Sequence, residues 1–385
     1  MIERKYMTDN NMITLRSWEQ LSNEVQKRAD AQMYPLTGMN PQDVAEALAN
    51  TATLNRDAWA NGWSAVGDRY VNLANTQIKS NNSLASTNYL NAWRYHGFAA
   101  WPTQNTDSKK LAFKASMDSF RSYASLVSPN IERIKLPFEG KDVTFYMQLP
   151  ENVSQPVPLI LSFGGLDSYK EYIVERYGPD YLANGFGYVA LDIPGTGESP
   201  ILASPDAIRM YKVIIDYLES RDDVDSKRLA VQGVSQGGYW AARLAIAEEK
   251  RLAAAVFWAG PTHYTFQREW LEHSTNTNEY LFDYLPARLS IYGANSWDEY
   301  LEKVPLMSIK ALELLEEPTP EMLLVGGEKD SQTSIEDLLL LQRHGQAKYT
   351  WLNPSGGHLG RSNEWPDERI LKEVIIPFLK TRLTN

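Results

Sequence analysis

Up to about residue 130 the apolar side chains recur at helical spacing. Trp59, Trp63, Val66, Tyr70 and Leu73 stand four, three, four and three residues apart, which lines one face of a helix. Tyr89, Trp93, His96 and Ala100 continue a similar stripe, and residues 108–126 read as a further helix. Asn40-Pro41-Gln42-Asp43 marks a helix start, with a capping Asn, Pro at the first helical position and an acid in the first turn. Beyond residue 130 the period changes. Residues 131–137 and 142–149 read as a hairpin across Glu139-Gly140. Runs at 157–163, 187–192, 228–232, 253–259, 321–326 and 347–352 read as strands, most of them separated by helical text. Eight strands with mostly β–α alternation predict an α/β fold with a predominantly parallel sheet. From Thr262 to Leu315 no strand candidate occurs, so a helical cap inserted after the sixth strand is expected at about 262–315. The expected organisation is a helical N-terminal cap domain over 1–128 and an α/β domain over 129–385.

Between the apolar run Arg228–Val231 and the helix-forming run Tyr239–Lys250 lies Gly233-Val234-Ser235-Gln236-Gly237-Gly238-Tyr239. This reads as strand, sharp turn and helix, with a serine at the apex. Such an elbow projects the serine hydroxyl away from the backbone, and the flanking glycines admit neighbouring chain. The helix N-terminus behind it favours the negative charge that develops in acyl transfer. A nucleophilic serine needs a base and an acid that orients the base. Asp330 follows the strand-like run 321–327, with Glu328 as the alternative acid, and His358 follows the run 348–352. Both lie just past strand C-termini, the edge on which open α/β sheets place ligands. Of five histidines, His344 and His273 sit in amphipathic or polar text and His96 precedes the acid, so His358 is the expected base. The run Pro158–Phe163 leads into Gly164-Gly165-Leu166-Asp167, where Gly165 or Leu166 would supply an oxyanion donor beside the Gln236 N–H.

Composition narrows the setting. A chain of 385 residues, 43% hydrophobic, exceeds one ordinary domain and can bury a large core. A net charge of −10 argues against nucleic acid or an anionic membrane as the main partner. A small-molecule substrate is expected instead, with a homodimer left open. There is no cysteine, so there are no disulfides and no thiolate chemistry, and the scattered histidines show no metal-ligand spacing. Neither a metal nor a cofactor is expected. No apolar run approaches membrane-spanning length and the N-terminal stretch lacks a signal-peptide core, so a soluble, cytoplasmic protein is expected.

Three segments carry a family resemblance: Leu161-Ser162-Phe163-Gly164-Gly165-Leu166-Asp167-Ser168-Tyr169-Lys170-Glu171, Leu191-Asp192-Ile193-Pro194-Gly195-Thr196-Gly197-Glu198-Ser199-Pro200, and Gly233 to Trp240. They resemble one branch of the α/β hydrolases. That branch includes 2,6-dihydropseudooxynicotine hydrolase, fungal heptaketide chain-shortening hydrolases and the fermentation–respiration switch esterases. The resemblance spans roughly residues 130–385. It implies an α/β-hydrolase fold, a helical N-terminal domain closing over the pocket, and cleavage of an ester or of a C–C bond next to a ketone. It carries Ser235, Asp330 and His358 as nucleophile, acid and base. Gly260-Pro261-Thr262-His263-Tyr264 is similar to the segment that opens the cap in the fungal members, which makes His263 a candidate facing the substrate. Trp93, Arg94, Tyr95, His96, Tyr239, Trp240 and Tyr264 complete the expected substrate-binding set, for a small aromatic, ketone or polyketide-like compound.

Overall fold

A computed structural model describes residues 10–151, 153, 154 and 156–384. The chain divides into two compact units. One takes residues up to Ile131 together with Asn276–Arg288, and the other takes Glu132–Thr275 together with Leu289 onward.

The first unit is helical: α1 (Trp18–Asp30), α2 (Pro41–Thr51), α3 (Arg56–Gln77), α4 (Asn82–Ala100) and α5 (Asp107–Ala124). Each begins where a polar side chain can meet the free N–H groups of a first turn. Ser17 and Gln20 form a reciprocal capping box, Asn40 caps α2 ahead of Pro41, and Asn55, Asn81 and Thr106 cap the other three. The stripe on α3 is buried at Trp59, Trp63 and Val66, but Leu73 is 42% exposed. A step of four from Tyr70 carries the inward face to Ala74 instead. Trp59, Trp63, Tyr95 and Phe98 pack ring against ring, and Leu281 and Phe282 join the same core. Arg56 grips both oxygens of the buried Asp283 at 2.7 and 2.8 Å. Lys109, equally buried, stands 3.6 Å from that carboxylate and donates to the Trp101 carbonyl at 2.8 Å.

The second unit is an α/β fold on one eight-stranded sheet. Its strands are β1 (Glu132–Phe138), β2 (Lys141–Gln148), β3 (Val157–Phe163), β4 (Gly187–Leu191), β5 (Val224–Val234), β6 (Ala254–Trp258), β7 (Glu321–Gly327) and β8 (Tyr349–Asn353). Their order is β1-β2-β4-β3-β5-β6-β7-β8. β2 runs antiparallel to both neighbours and every other pair is parallel. β3, β4 and β6 are buried along their whole length, as parallel strands flanked by helices must be. The flanking helices include α6 (Lys170–Arg176), α7 (Gly178–Ala183), α8 (Arg209–Glu219) and α9 (Gln236–Ala247). Between β6 and β7 come α10 (Arg268–Ser274), α11 (Tyr284–Ile291) and α12 (Trp297–Lys303), and no strand. Within this stretch, residues 276–288 group with the helical unit. Among the described residues no helix is long and apolar enough to cross a membrane.

Candidate active site

β5 ends at Val234 and α9 begins at Gln236, so Ser235 alone makes the turn, with φ 55° and ψ −125°. Few non-glycine residues adopt such a conformation, and the surroundings must impose it. They do so through close approach. A Cβ on Gly233 would stand 1.9 Å from the Gly237 carbonyl oxygen, and one on Gly237 would stand 2.1 Å from the Gly164 oxygen. Only hydrogen fits at either place, so the turn can fold back on itself and on the end of β3. The Ser235 N–H donates to the Trp258 carbonyl at 2.8 Å, which fastens the turn to the end of β6.

His358 follows β8 in a short turn whose residue Leu359 has φ 66°. The Trp258 indole N–H donates to the Leu359 carbonyl at 2.7 Å and holds that turn in place. His358 Nε2 lies 2.8 Å from Ser235 Oγ, and Nδ1 lies 2.8 Å from Asp330 Oδ2. Asp330 is itself held, its Oδ1 accepting the N–H groups of Gln332 and Thr333 at 2.8 and 2.9 Å. An ionised carboxylate only accepts, so Nδ1 carries the proton and Nε2 is left to accept from the serine hydroxyl. Asp330 and His358 are both buried, whereas Glu328, the alternative acid, is exposed.

The loop after β3 lies against the serine: a Cβ on Gly165 would stand 3.2 Å from Ser235 Cβ. The two donors foreseen in this loop are not equivalent. The Gly165 N–H donates to Ser168 Oγ at 2.7 Å, while the Leu166 N–H, like that of Gln236, meets no acceptor among the described residues. Of the three expected donors, the Gly165 N–H is thus the one already engaged within the loop.

The remaining expected residues are placed differently. Tyr239 and Trp240 have no exposed surface: Tyr239 packs on Phe266 and binds Arg243 at 2.7 Å through its hydroxyl, and Trp240 packs on Tyr211. Trp93, Arg94, Tyr95 and His96 have partners within the helical unit. Trp93 packs on Phe120, Arg94 donates to the Gly38 carbonyl at 2.9 Å, and Tyr95 accepts the Asn40 N–H at 3.1 Å. His96 Nε2 lies 3.0 Å from Asp68. His263 is half-buried, with Nδ1 2.7 Å from Ser308 Oγ, and Tyr264 is exposed. Burial, helped by Lys310 and opposed by Asp337, holds His263 below its ordinary pKa. The turn that carries it hangs on a residue the sequence did not single out. The buried Asp337 carboxylate accepts the N–H groups of His263, Tyr264 and Thr265 and the Thr262 hydroxyl, at 2.6 to 2.9 Å. No local pattern marks that role, because the partners lie more than seventy residues upstream.

Among curated proteins, Esterase FrsA of Photobacterium profundum is 27% identical over 210 residues, covering 53% of this chain and 49% of the relative. Hydrolase ORFZ of Pyricularia oryzae is 27% identical over 245 residues, covering 57% and 56%. The chain thus spans about half the length of the curated relatives it matches. The solved structure of 2,6-dihydroxy-pseudo-oxynicotine hydrolase superposes with a TM-score of 0.75 at 19% identity, covering 90% of this chain and 93% of that one. AbyA5 superposes at 0.73 and 19% identity, covering 95% of each chain. These two likenesses establish the α/β-hydrolase fold. The family model described as "Esterase FrsA-like" matches residues 40–349, most of the chain, and the protein therefore belongs to the FrsA-like esterase family.

Proposed function

We propose that the protein is a serine hydrolase acting on a small carbonyl compound, with Ser235 as nucleophile, His358 as general base and Asp330 as the acid that orients it. The observation that carries this reading is the unbroken chain of contacts from Ser235 Oγ through His358 to Asp330, each 2.8 Å, at a strained strand-to-helix turn. His358 takes the hydroxyl proton as Oγ attacks the carbonyl carbon, and Asp330 stabilises the imidazolium that results. The N–H groups of Gln236 and Leu166 receive the oxyanion. From an ester, the alkoxide leaves with the proton returned by His358, and water then attacks the acyl-enzyme by the same route. From a ketone with an adjacent activated carbon, the same triad would expel an enolate, which His358 protonates at carbon. Membership of an esterase family supports ester cleavage as the first activity to assay.

A fluorophosphonate probe tests the assignment. It should label the protein once, at Ser235, and Ser235→Ala should abolish labelling and lower turnover about 10⁴-fold or more. Labelling that persists in Ser235→Ala would remove Ser235 from the role.

A further inference from the structure

An oxyanion donor is useful only if its N–H is held in direction to within a fraction of an ångström. The loop 164–169 leaves β3 at Phe163 and enters α6 at Lys170. Its first half is fixed locally, by the Gly165 N–H on Ser168 Oγ and by the close approach of Gly237 to the Gly164 oxygen. Its second half ends in Tyr169, which occupies the N-cap position of α6 without offering a side-chain cap. The first N–H of α6 is met from the end of β4 instead. Lys170 donates its backbone N–H to Asp192 Oδ1 at 2.9 Å and its ammonium to Oδ2 at 2.8 Å. Asp192 also accepts the Glu198 N–H at 2.9 Å. The Lys170 ammonium lies 3.0 Å from Glu171 and 2.9 Å from Glu198, and Arg133 binds the other Glu198 oxygen at 2.8 Å.

Lys170 has no exposed surface. A buried lysine among three carboxylates is a poor route to stability, since packed apolar side chains at such sites do as well or better. What the cluster does fix is direction. Asp192 grips the backbone and the side chain of one residue, and that residue sets where α6 begins, four positions after Leu166. We propose that Lys170 is a positioning residue for the oxyanion loop, holding the Leu166 N–H in its working direction through Asp192. The inference rests on the serine-hydrolase reading above.

The charge balance supplies a second readout. Lys170 and Arg133 face Asp192, Glu171 and Glu198, with the Tyr146 ring beside the ammonium, so one carboxylate is in excess. Burial, opposed by Lys170 and reinforced by Asp192, pushes Glu171 up to about 7. An ionised Glu171 would place one uncompensated negative charge behind a loop that must stabilise another.

The test uses the full chain and a p-nitrophenyl ester, with kcat expressed per site titrated by the fluorophosphonate probe. Lys170→Met should lower kcat per titrated site about 10- to 100-fold with KM little changed, approaching the loss of one oxyanion donor. A purely structural lysine would reduce the titratable fraction or Tm and leave kcat per site alone; that result overturns the proposal. Where Lys170→Met yields too little folded protein, Glu171→Gln decides, since it keeps the shape of the cluster. The wild type should lose kcat relative to Glu171→Gln as pH rises through about 7. Superimposable profiles overturn the proposal as well. An unlabelled, inactive wild type would instead refute the hydrolase reading, and this inference with it.

Discussion

Ser235 sits in a backbone conformation that costs a residue other than glycine about 1–3 kcal/mol. The strain is held by its neighbours, so the hydroxyl stands fixed beside His358 in the unliganded chain. Asp330 is equally prepared, with one oxygen for His358 and the other for two backbone N–H groups. Asp330→Asn can keep the two backbone bonds through its amide oxygen, but it then turns an NH₂ toward His358 Nδ1. That enforces the wrong tautomer, so kcat should fall about 10⁴-fold while the circular dichroism spectrum stays that of the wild type. Glu328→Gln, at an exposed position, should leave kcat unchanged; if it proved the more damaging change, the acid would have to be reassigned. That Ser235, Asp330 and His358 come together was legible in the sequence because each lies within a few residues of a strand's C-terminal end and their chain order restricts the choice. Asp337 and Lys170 were not. Their partners are distant in sequence or belong to another strand end, and a lone Asp or Lys in helical text looks like a solvated face.

At the scale of elements, the change from helical to strand texture near residue 130 falls where β1 begins, at Glu132, because periods of 3.6 and 2 are easily told apart. All eight strands lie where the apolar runs place them, apart from ends such as β5, which starts at Val224 rather than residue 228. Less legible was which way a helix faces when every side carries aromatic residues. On α4, Trp93, Arg94, Tyr95 and His96 read as substrate-binding candidates, and Tyr95 accepts the N–H of Asn40, the N-cap of α2, and stacks on Tyr70 at 5.6 Å. Tyr95→Phe removes the acceptor of the Asn40 N–H, a partly buried hydrogen bond worth about 1 kcal/mol. Tm should therefore fall by about two degrees, with kcat/KM per titrated site unchanged on a p-nitrophenyl ester and on a bulkier aromatic ester. Loss of activity on the bulkier ester alone, at unaltered Tm, would return Tyr95 to the substrate.

Across the whole chain, the least foreseeable feature is that the polypeptide contributes to the helical unit twice, first up to Ile131 and again at Asn276–Arg288. Hydrophobic periodicity cannot report this, since residues 276–288 look like any other helical insertion. The second contribution is secured by charge as well as by Leu281 and Phe282. Although burial pushes the other way, the hydrogen bonds from Arg56 and the charge of Lys109 hold the Asp283 carboxyl below its usual range. Lys109 is lowered too, but against its charged form: burial, only partly offset by Asp283, takes it from 10.5 to about 8. Between those values the folded chain binds fewer protons than the unfolded chain, so this group makes stability rise with pH over that window. The whole effect is at most about 3 kcal/mol. The buried tyrosines act in the opposite sense at higher pH, so the comparison belongs at pH 7.5 to 9.5, against Lys109→Met, in urea unfolding. Lys109→Met removes the titrating group and leaves Asp283 paired with Arg56. The difference in unfolding free energy between wild type and variant should drift in favour of the wild type as pH rises. A difference that stays constant across that range would mean Lys109 keeps an ordinary ammonium in the folded protein, and that the helical unit bears its buried charge by pairing alone.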